Sequence, residues 1–323
     1  MQKLKRLINK FLDLWKKSQR YRYNLVKIDK LDNFLIFLIC VFTALISSYH
    51  FILSPTFNIK IIISWAISFF EVLTCCGILI IVSKKENPII NARQIFLLIG
   101  LLLIVQTVKI NFEELSPLSI IVPPALIISQ GIGTLTSLAW ISIASINWPN
   151  SAEVINNYIL FITFSSSFIV SILGGRIRSR AQLLQISILV PLGSFLAQWI
   201  LLGFKKELYF TNLRSLIFKP GDIFFDSFLL AILMLTVILL MPIIESMFGL
   251  ITKARLLELA DQEKPLLRRL SIEAPGTFEH TLVICGLAEE AARVIGGNVD
   301  LIKTGALYHD IGKLHAPNWF IEN

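Results

Sequence analysis

The sequence predicts an all-α fold, with a polytopic helical membrane bundle of about eight spans and a smaller helical region after it. Of the 323 residues, 55% are hydrophobic and only 16% are charged, whereas soluble domains contain about 25% charged residues. The mean hydropathy of +0.71 agrees with a chain that mostly lies in a membrane. Three of the four histidines follow residue 270, so polar chemistry is expected near the C-terminus.

The N-terminal segment 1–32 is strongly basic. It carries ten Lys or Arg residues and three Asp or Glu residues, within a chain of net charge +8. Leu4, Ile8, Phe11 and Trp15 recur at helical spacing among lysines, which predicts an amphipathic helix on the cytoplasmic membrane surface. Anionic lipid is therefore the expected partner of this charge, and no nucleic-acid polymer is expected.

Six apolar runs are long enough to cross the roughly 30 Å of hydrocarbon in a bilayer. They lie near 34–53, 61–83, 94–111, 157–173, 183–203 and 226–248. The second run contains Glu71, an intramembrane carboxylate that is a candidate functional group. The alternative is that it is protonated or faces a polar partner between helices. The four cysteines show no paired pattern, so disulfides are not expected.

The run 118–146 has two interpretations. Gly131 and Gly133 near its middle suit a tight turn between two short helices, whereas a single tilted and kinked helix also fits the length. The arginine cluster at 176–180 lies on the cytoplasmic side only if the run crosses twice, as the positive-inside rule prefers. We therefore expect eight spans in a multi-pass protein of the plasma (inner) membrane, with the N- and C-termini both cytoplasmic.

Beyond the last span, 251–270 reads as a charged, helix-favouring linker that is broken at Pro265. Two further helices are predicted over 277–295 and 299–308, separated by a glycine pair. Asn298 is the expected N-cap of the second helix because its side chain can accept a hydrogen bond from a free backbone N–H.

These two helices carry the candidate metal ligands. His280 falls in the first turn of the first helix, and His309 and Asp310 follow the end of the second. Neutral imidazole and carboxylate suit divalent first-row metals. Two antiparallel helices are expected to bring these ends together only if the first helix bends or a third helix intervenes. An isolated His-Asp pair is otherwise usually a surface feature, so the sequence around it decides.

The spacing of His280 from His309-Asp310, with the run HDIGK from His309 to Lys313, resembles the HD metal-dependent phosphohydrolase superfamily. The runs EAPGTFEHT before it and FIEN after it resemble one membrane-bound branch, the seven-transmembrane receptors with an intracellular HD hydrolase of the PgpH type. The resemblance covers roughly 61–323. It implies a transmembrane bundle over 33–250, a linker helix over 251–270 and the N-terminal part of an HD domain over 271–323.

The resemblance implies a metal-dependent phosphodiesterase that hydrolyses a cyclic dinucleotide, most closely cyclic di-AMP to linear pApA. His280, His309 and Asp310 would be metal ligands, with one or two Mn or Fe ions in a complete domain. Asp310 and Lys313 would be the catalytic residues. Lys313 is either a point charge for a substrate phosphate or an exposed cation at a helix end, and His315 is expected to be solvated.

Two departures from the family pattern shape the expected function. Only 54–60 separates the first two spans, where the family usually carries a large extracytoplasmic domain. The distal Asp and the additional histidines of the family's metal site are also missing, so the site is expected to be incomplete and the chain a truncated product that is inactive alone. The alternative is a non-enzymatic membrane regulator or assembly protein with a vestigial HD stub. For the phosphodiesterase, the expected partners are the lipid bilayer and the cyclic dinucleotide substrate, and homo-oligomerisation stays open.

Overall fold

The computed structural model describes residues 30–52, 59–88, 90–111, 115–148, 158–204 and 223–323. The regular secondary structure of these ranges is helical, which confirms the predicted all-α class. The amphipathic helix predicted within 1–32 and most of the short connection at 54–60 lie outside the described residues.

The chain divides into two compact units. The bundle unit contains Met1–Gly175 and Ile186–Leu250, and the C-terminal unit contains Arg176–Gln185 and Ile251–Asn323. The helices that correspond to the predicted spans are α1 (Lys30–Ile52), α2 (Ile59–Glu86), α3 (Ala92–Asn111), α4 (Pro117–Gly131), α5 (Thr134–Ile146), α6 (Tyr158–Gly174), α7 (Arg180–Phe204) and α8 (Ile223–Phe248).

Among the described residues, four helical segments are long and apolar enough to cross a membrane. They are Ile62–Glu86, Ala92–Asn111, Arg180–Ile200 and Ile223–Phe248. The other four helices contribute shorter apolar segments, Asp32–Ser48, Pro117–Gly131, Thr134–Ile146 and Ile159–Gly174. Eight crossings therefore stay a prediction, although each predicted span corresponds to an apolar helix.

The run 118–146 forms two helices, as the first of its two interpretations predicts. Ile132 and Gly133 separate α4 from α5, and the Ser137 hydroxyl on α5 donates to the Ala125 carbonyl on α4 at 2.8 Å. Because the two residues lie equally far from Gly131 along the chain, the bond indicates an antiparallel hairpin.

Glu86, at the end of α2, caps the N-terminus of α5. Its carboxylate accepts hydrogen bonds from the backbone N–H of Leu135 at 2.9 Å and of Thr136 at 2.6 Å. The Thr136 hydroxyl donates a third bond at 2.7 Å. Gly133 leaves room for this contact, since a Cβ there would overlap the Glu86 carboxylate. The cap satisfies N–H groups that have no partner within their own helix.

The core of the bundle unit is mainly Ile and Leu with a fully buried Trp140, whose indole Nε1–H donates to the Leu98 carbonyl at 3.1 Å. Many apolar side chains also face outward, such as Leu239 at 78% exposure. Glu71 is exposed on α2, so its side chain does not face the packed helices. All four cysteines lie among the described residues and are free.

The C-terminal unit contains α9 (Lys253–Leu259), α10 (Pro265–Glu273), α11 (Pro275–Val294) and α12 (Val299–Tyr308), then 3-10 turns at Ile311–His315 and Pro317–Trp319. The linker break predicted at Pro265 is confirmed, since α10 begins there. Gly296 ends α11 with φ of +67°, a conformation that favours glycine. The Asn298 cap is also confirmed, because its side chain accepts from the Leu301 N–H at 3.1 Å.

Candidate metal centre

Helices α11 and α12 form an antiparallel hairpin that brings His280 to His309. The Lys303 ammonium lies 3.2 Å from the Glu289 carboxylate near the turn, and the Cys285 thiol lies 3.6 Å from the Lys303 carbonyl. The two imidazole rings are 5.8 Å apart between centroids. The expectation that a bend or a third helix is required is therefore wrong, because the antiparallel register of the pair accounts for the meeting of its ends.

His280, His309 and Asp310 each offer one ligand atom, and these three atoms lie within 4.8 Å of one another. Helix α11 begins at Pro275, so His280 lies in its second turn rather than its first. Both histidines are exposed and Asp310 is half-buried. The structure thus brings together the three predicted ligands at a surface that solvent and small molecules reach.

The tautomer of His309 follows from its hydrogen bond. Its Nδ1 lies 2.7 Å from the Ala306 carbonyl oxygen. Because a carbonyl oxygen can only accept, Nδ1 carries the proton and the neutral ring keeps its lone pair on Nε2. This Nε2 lies 3.5 Å from Oδ2 of Asp310. The same backbone bond orients many metal-binding histidines.

Asp310 is held ionised by its surroundings. The 3-10 turn Ile311–His315 returns the chain so that the Lys313 ammonium lies 2.8 Å from Oδ2 of Asp310. This hydrogen bond and the positive charge of Lys313 outweigh burial and hold the pKa of the Asp310 carboxyl below its usual range. The carboxylate form is the one that a metal requires.

Lys313 is shared by two carboxylates. Besides Asp310, its ammonium lies 2.7 Å from Oε1 of Glu322 and 5.1 Å from the centroid of the Phe320 ring. The predicted role of Lys313 at a substrate phosphate stays a prediction. His315 is exposed and lies outside the three-residue group, as expected.

Glu322 and Asn323 join the site through Thr277, which sequence reasoning did not identify. The Asn323 side chain bonds both the backbone and the hydroxyl of Thr277, and Glu322 accepts from the same hydroxyl at 3.4 Å. The signal was present, since both residues belong to the FIEN run and Thr277 belongs to the EAPGTFEHT run. Nothing in either run alone indicates that the two meet.

The donor set fits a divalent first-row metal. Two imidazoles and one carboxylate are ligand types that such ions accept, and His309 has its Nε2 lone pair available. Three protein ligands also leave coordination positions for water or substrate. The residues present are therefore compatible with metal-dependent chemistry.

A family model described as a 7TM receptor with intracellular HD hydrolase matches residues 62–252, more than half of the chain. The chain belongs to this family. The HD domain model matches 277–323, the stretch that contains the whole three-ligand group. The 7TM receptors with intracellular HD hydrolase are membrane proteins, and HD domains are generally metal-dependent.

Curated relatives match over short stretches. An uncharacterized protein of Synechocystis sp. is 56% identical over 82 residues, which is 25% of this chain and 10% of the relative. The cyclic-di-AMP phosphodiesterases PgpH of Listeria monocytogenes and Bacillus subtilis are 46% identical over 82 residues and 45% over 84, or 25% and 26% of this chain. The chain spans 10 to 12% of the length of these relatives. No solved structure matches the chain.

Proposed function

We propose that this chain belongs to a membrane-bound, metal-dependent phosphodiesterase that opens a cyclic dinucleotide, cyclic di-AMP, to linear pApA. The observation that carries the proposal is the meeting of His280, His309 and Asp310 within 4.8 Å in the stretch that the HD model matches. The names of two relatives, which are cyclic-di-AMP phosphodiesterases, supply the substrate.

The roles of the side chains follow from their contacts. A bound Mn or Fe ion would lower the pKa of a coordinated water and neutralise charge on the phosphoryl oxygens. His309 presents Nε2 because its Nδ1 is bonded to Ala306. Asp310 presents a carboxylate that Lys313 orients. Lys313 would then approach a substrate phosphate as a point charge once Asp310 is engaged.

The arrangement in the membrane is a further part of the proposal. With both termini in the cytoplasm, the α4–α5 hairpin crosses the bilayer twice. The HD region 271–323 then follows the bundle 33–250 and the linker 251–270 into the cytoplasm. The arginines at 176–180 support this orientation. A cysteine introduced as Arg178→Cys should react only with reagents that reach the cytoplasm, and labelling from the outer face would refute the orientation.

The metal site is tested by removing its ligands. In the full chain in detergent, His309→Ala and Asp310→Ala should each weaken Mn²⁺ binding by more than about a hundredfold, because each removes a direct ligand. His315→Ala is the matched control, since this exposed imidazole lies outside the group. Mn²⁺ affinity by calorimetry and conversion of cyclic di-AMP to pApA are the measurements. Equal affinity in wild type and both ligand variants would refute the metal centre.

One observation favours the second candidate, a non-enzymatic regulator or assembly protein. Val283, Leu287 and Val294 line one face of α11 and are 64%, 65% and 85% exposed. An apolar face of this kind is typical of a surface that another protein surface covers. Turnover of cyclic di-AMP by this chain would exclude an exclusively non-enzymatic role.

A further inference from the structure

We infer that Glu322 and Asn323 form a clamp that sets the position of His280 relative to Asp310. The inference deepens the proposed function and rests on its metal centre. The two ligands belong to different elements, His280 to α11 and Asp310 to the turn after α12. A contact that fixes one element against the other therefore governs the distance between the ligands.

The first arm of the clamp is Asn323. Its Oδ1 accepts from the Thr277 backbone N–H at 2.9 Å. Its Nδ2 donates to the Thr277 hydroxyl at 3.0 Å and to the Pro317 carbonyl at 3.3 Å. Thr277 is fully buried and lies one turn before His280, so holding Thr277 also holds the turn that carries His280.

Asn323 also supplies a capping hydrogen bond at the start of α11. The N-cap residue of α11 is Ala274, which makes no side-chain cap hydrogen bond. The first backbone N–H groups of a helix have no partner within the helix. Asn323 provides an acceptor for one of them from 46 positions away in sequence. The Thr277 N–H at the start of α11 therefore takes its acceptor from Asn323 rather than from a local cap residue.

The second arm of the clamp is Glu322. Its Oε1 accepts from the Lys313 ammonium at 2.7 Å and from the Thr277 hydroxyl at 3.4 Å. Lys313 in turn lies 2.8 Å from Oδ2 of Asp310. One carboxylate thus joins the base of α11 to the residue that orients Asp310. Glu322 also gives the Lys313 ammonium a second carboxylate to pair with. Lys313 therefore keeps an ion-pair partner when a cation binds to Asp310.

Gly276 is an independent sign that the clamp is built into the fold. A Cβ at this position would overlap the backbone carbonyl of Glu322. A backbone atom cannot turn aside as a flexible side chain can, so any larger residue must displace the clamp. Gly276→Ala is therefore a second way to open the clamp, without substituting Glu322 or Asn323.

The test compares metal affinity and local order in the full chain in detergent. Asn323→Ala, Glu322→Gln and Gly276→Ala should each weaken Mn²⁺ binding about ten- to a hundredfold, the usual effect of losing a residue that supports a metal ligand. In the metal-free protein, Asn323→Ala and Gly276→Ala should speed amide hydrogen exchange over the first two turns of α11. The matched controls are Asn318→Ala, an exposed Asn in the same tail, and Glu290→Gln, an exposed Glu near the far end of α11.

Gly276→Ala combined with Asn323→Ala distinguishes one clamp from two unrelated defects. If both changes open the same clamp, the double variant should bind Mn²⁺ no more weakly than the worse single variant. Losses that multiply would overturn the single clamp.

Each remaining result also decides the inference. Faster exchange with unchanged Mn²⁺ affinity would show a structural contact that does not position the ligands, which overturns it. Unchanged exchange and unchanged affinity would overturn it outright. A wild-type chain that binds no Mn²⁺ would refute the metal centre of the proposed function. The exchange data would then still show whether Asn323 and Gly276 order the helix start.

Discussion

The bundle unit and the C-terminal unit use polar side chains in different ways. In the bundle, Thr43 and Thr163 donate to carbonyls four residues earlier in their own helices, each at 2.8 Å. In the C-terminal unit, Thr304 on α12 lies 2.9 Å from the Asp300 carbonyl of its own helix and also 3.1 Å from the Leu256 carbonyl of α9, while Tyr308 donates to the Leu259 carbonyl of α9 at 2.9 Å. Threonine hydroxyls thus bond within their own helix in the bundle, whereas Thr304 and Tyr308 also connect different elements.

The difference follows from the surroundings of each unit. A lipid bilayer is as apolar as the side chains within the bundle, so burial of apolar surface does little to choose which helix faces meet. Close packing and a few bonds between helices, such as those of Glu86 and Trp140, then decide the arrangement. The C-terminal unit has a small buried apolar cluster of Leu267, Cys285 and Leu307. It consequently relies on hydrogen bonds and ion pairs between its elements.

The largest expected loss of stability is at Glu86, whose bonds join two helices of the bundle instead of lying within one. Glu86→Ala should destabilise the bundle by about 3 kcal/mol, because it removes a charged acceptor from three donors at the start of α5. Glu71→Ala is the matched control on the same helix, and its side chain is exposed. Thermal unfolding in detergent measures both. A smaller loss for Glu86→Ala than for Glu71→Ala would mean that bonds between helices do not fix the bundle.

A matched pair of aromatic substitutions compares the units directly. Trp140→Phe and Tyr308→Phe each remove one hydrogen bond to a backbone carbonyl, of Leu98 and of Leu259. Trp140 is fully buried, so its variant should also leave a cavity and cost about 2 to 3 kcal/mol. Tyr308→Phe should cost about 1 kcal/mol. Hydrogen exchange of α5 and α12 locates the two losses, and a larger loss at Tyr308 would reverse the comparison.

The smallest effect concerns pH. The Arg180 guanidinium donates to Glu258 at 2.8 Å and holds the pKa of that carboxyl below its usual range. A carboxyl with a lowered folded-state pKa stabilises the fold above its unfolded value of about 4.3, and this contribution is lost as the pH falls through the folded value. The ion pair is partly exposed, so its contribution should stay under about 1 kcal/mol.

Glu258→Gln should therefore reduce the loss of stability that the C-terminal unit shows between neutral pH and about pH 3. Thermal unfolding at both pH values measures the difference, with Glu263→Gln as the control at an exposed carboxyl in the same stretch. An identical pH dependence in wild type and Glu258→Gln would exclude a contribution from this pair.

Local signals predicted local structure well. The Asn298 cap, the glycine end of α11 and the turn at Gly133 each depend on residues adjacent in sequence, and each is confirmed. The three candidate ligands could be named because their motif is specific, but their meeting depends on the register of α11 and α12. Glu86 bonds to Thr136, about 50 residues later in the sequence. Glu322 bonds to Thr277, at the opposite end of the stretch that the HD model matches. Pairings between such distant residues cannot be predicted from the local periodicity of the sequence.

The C-terminal unit is discontinuous in sequence. Its stretch Arg176–Gln185 is separated from Ile251–Asn323 by most of α7 and all of α8. A fragment that begins at Ile251 would keep the candidate metal ligands yet lose Arg180, a partner of Glu258. In such a fragment Glu258 would keep Arg255, 4.0 Å away, but lose its shorter ion pair, on the helix whose carbonyls accept hydrogen bonds from α12. Complementation with a peptide spanning 176–185 would show whether that missing piece can be returned in trans.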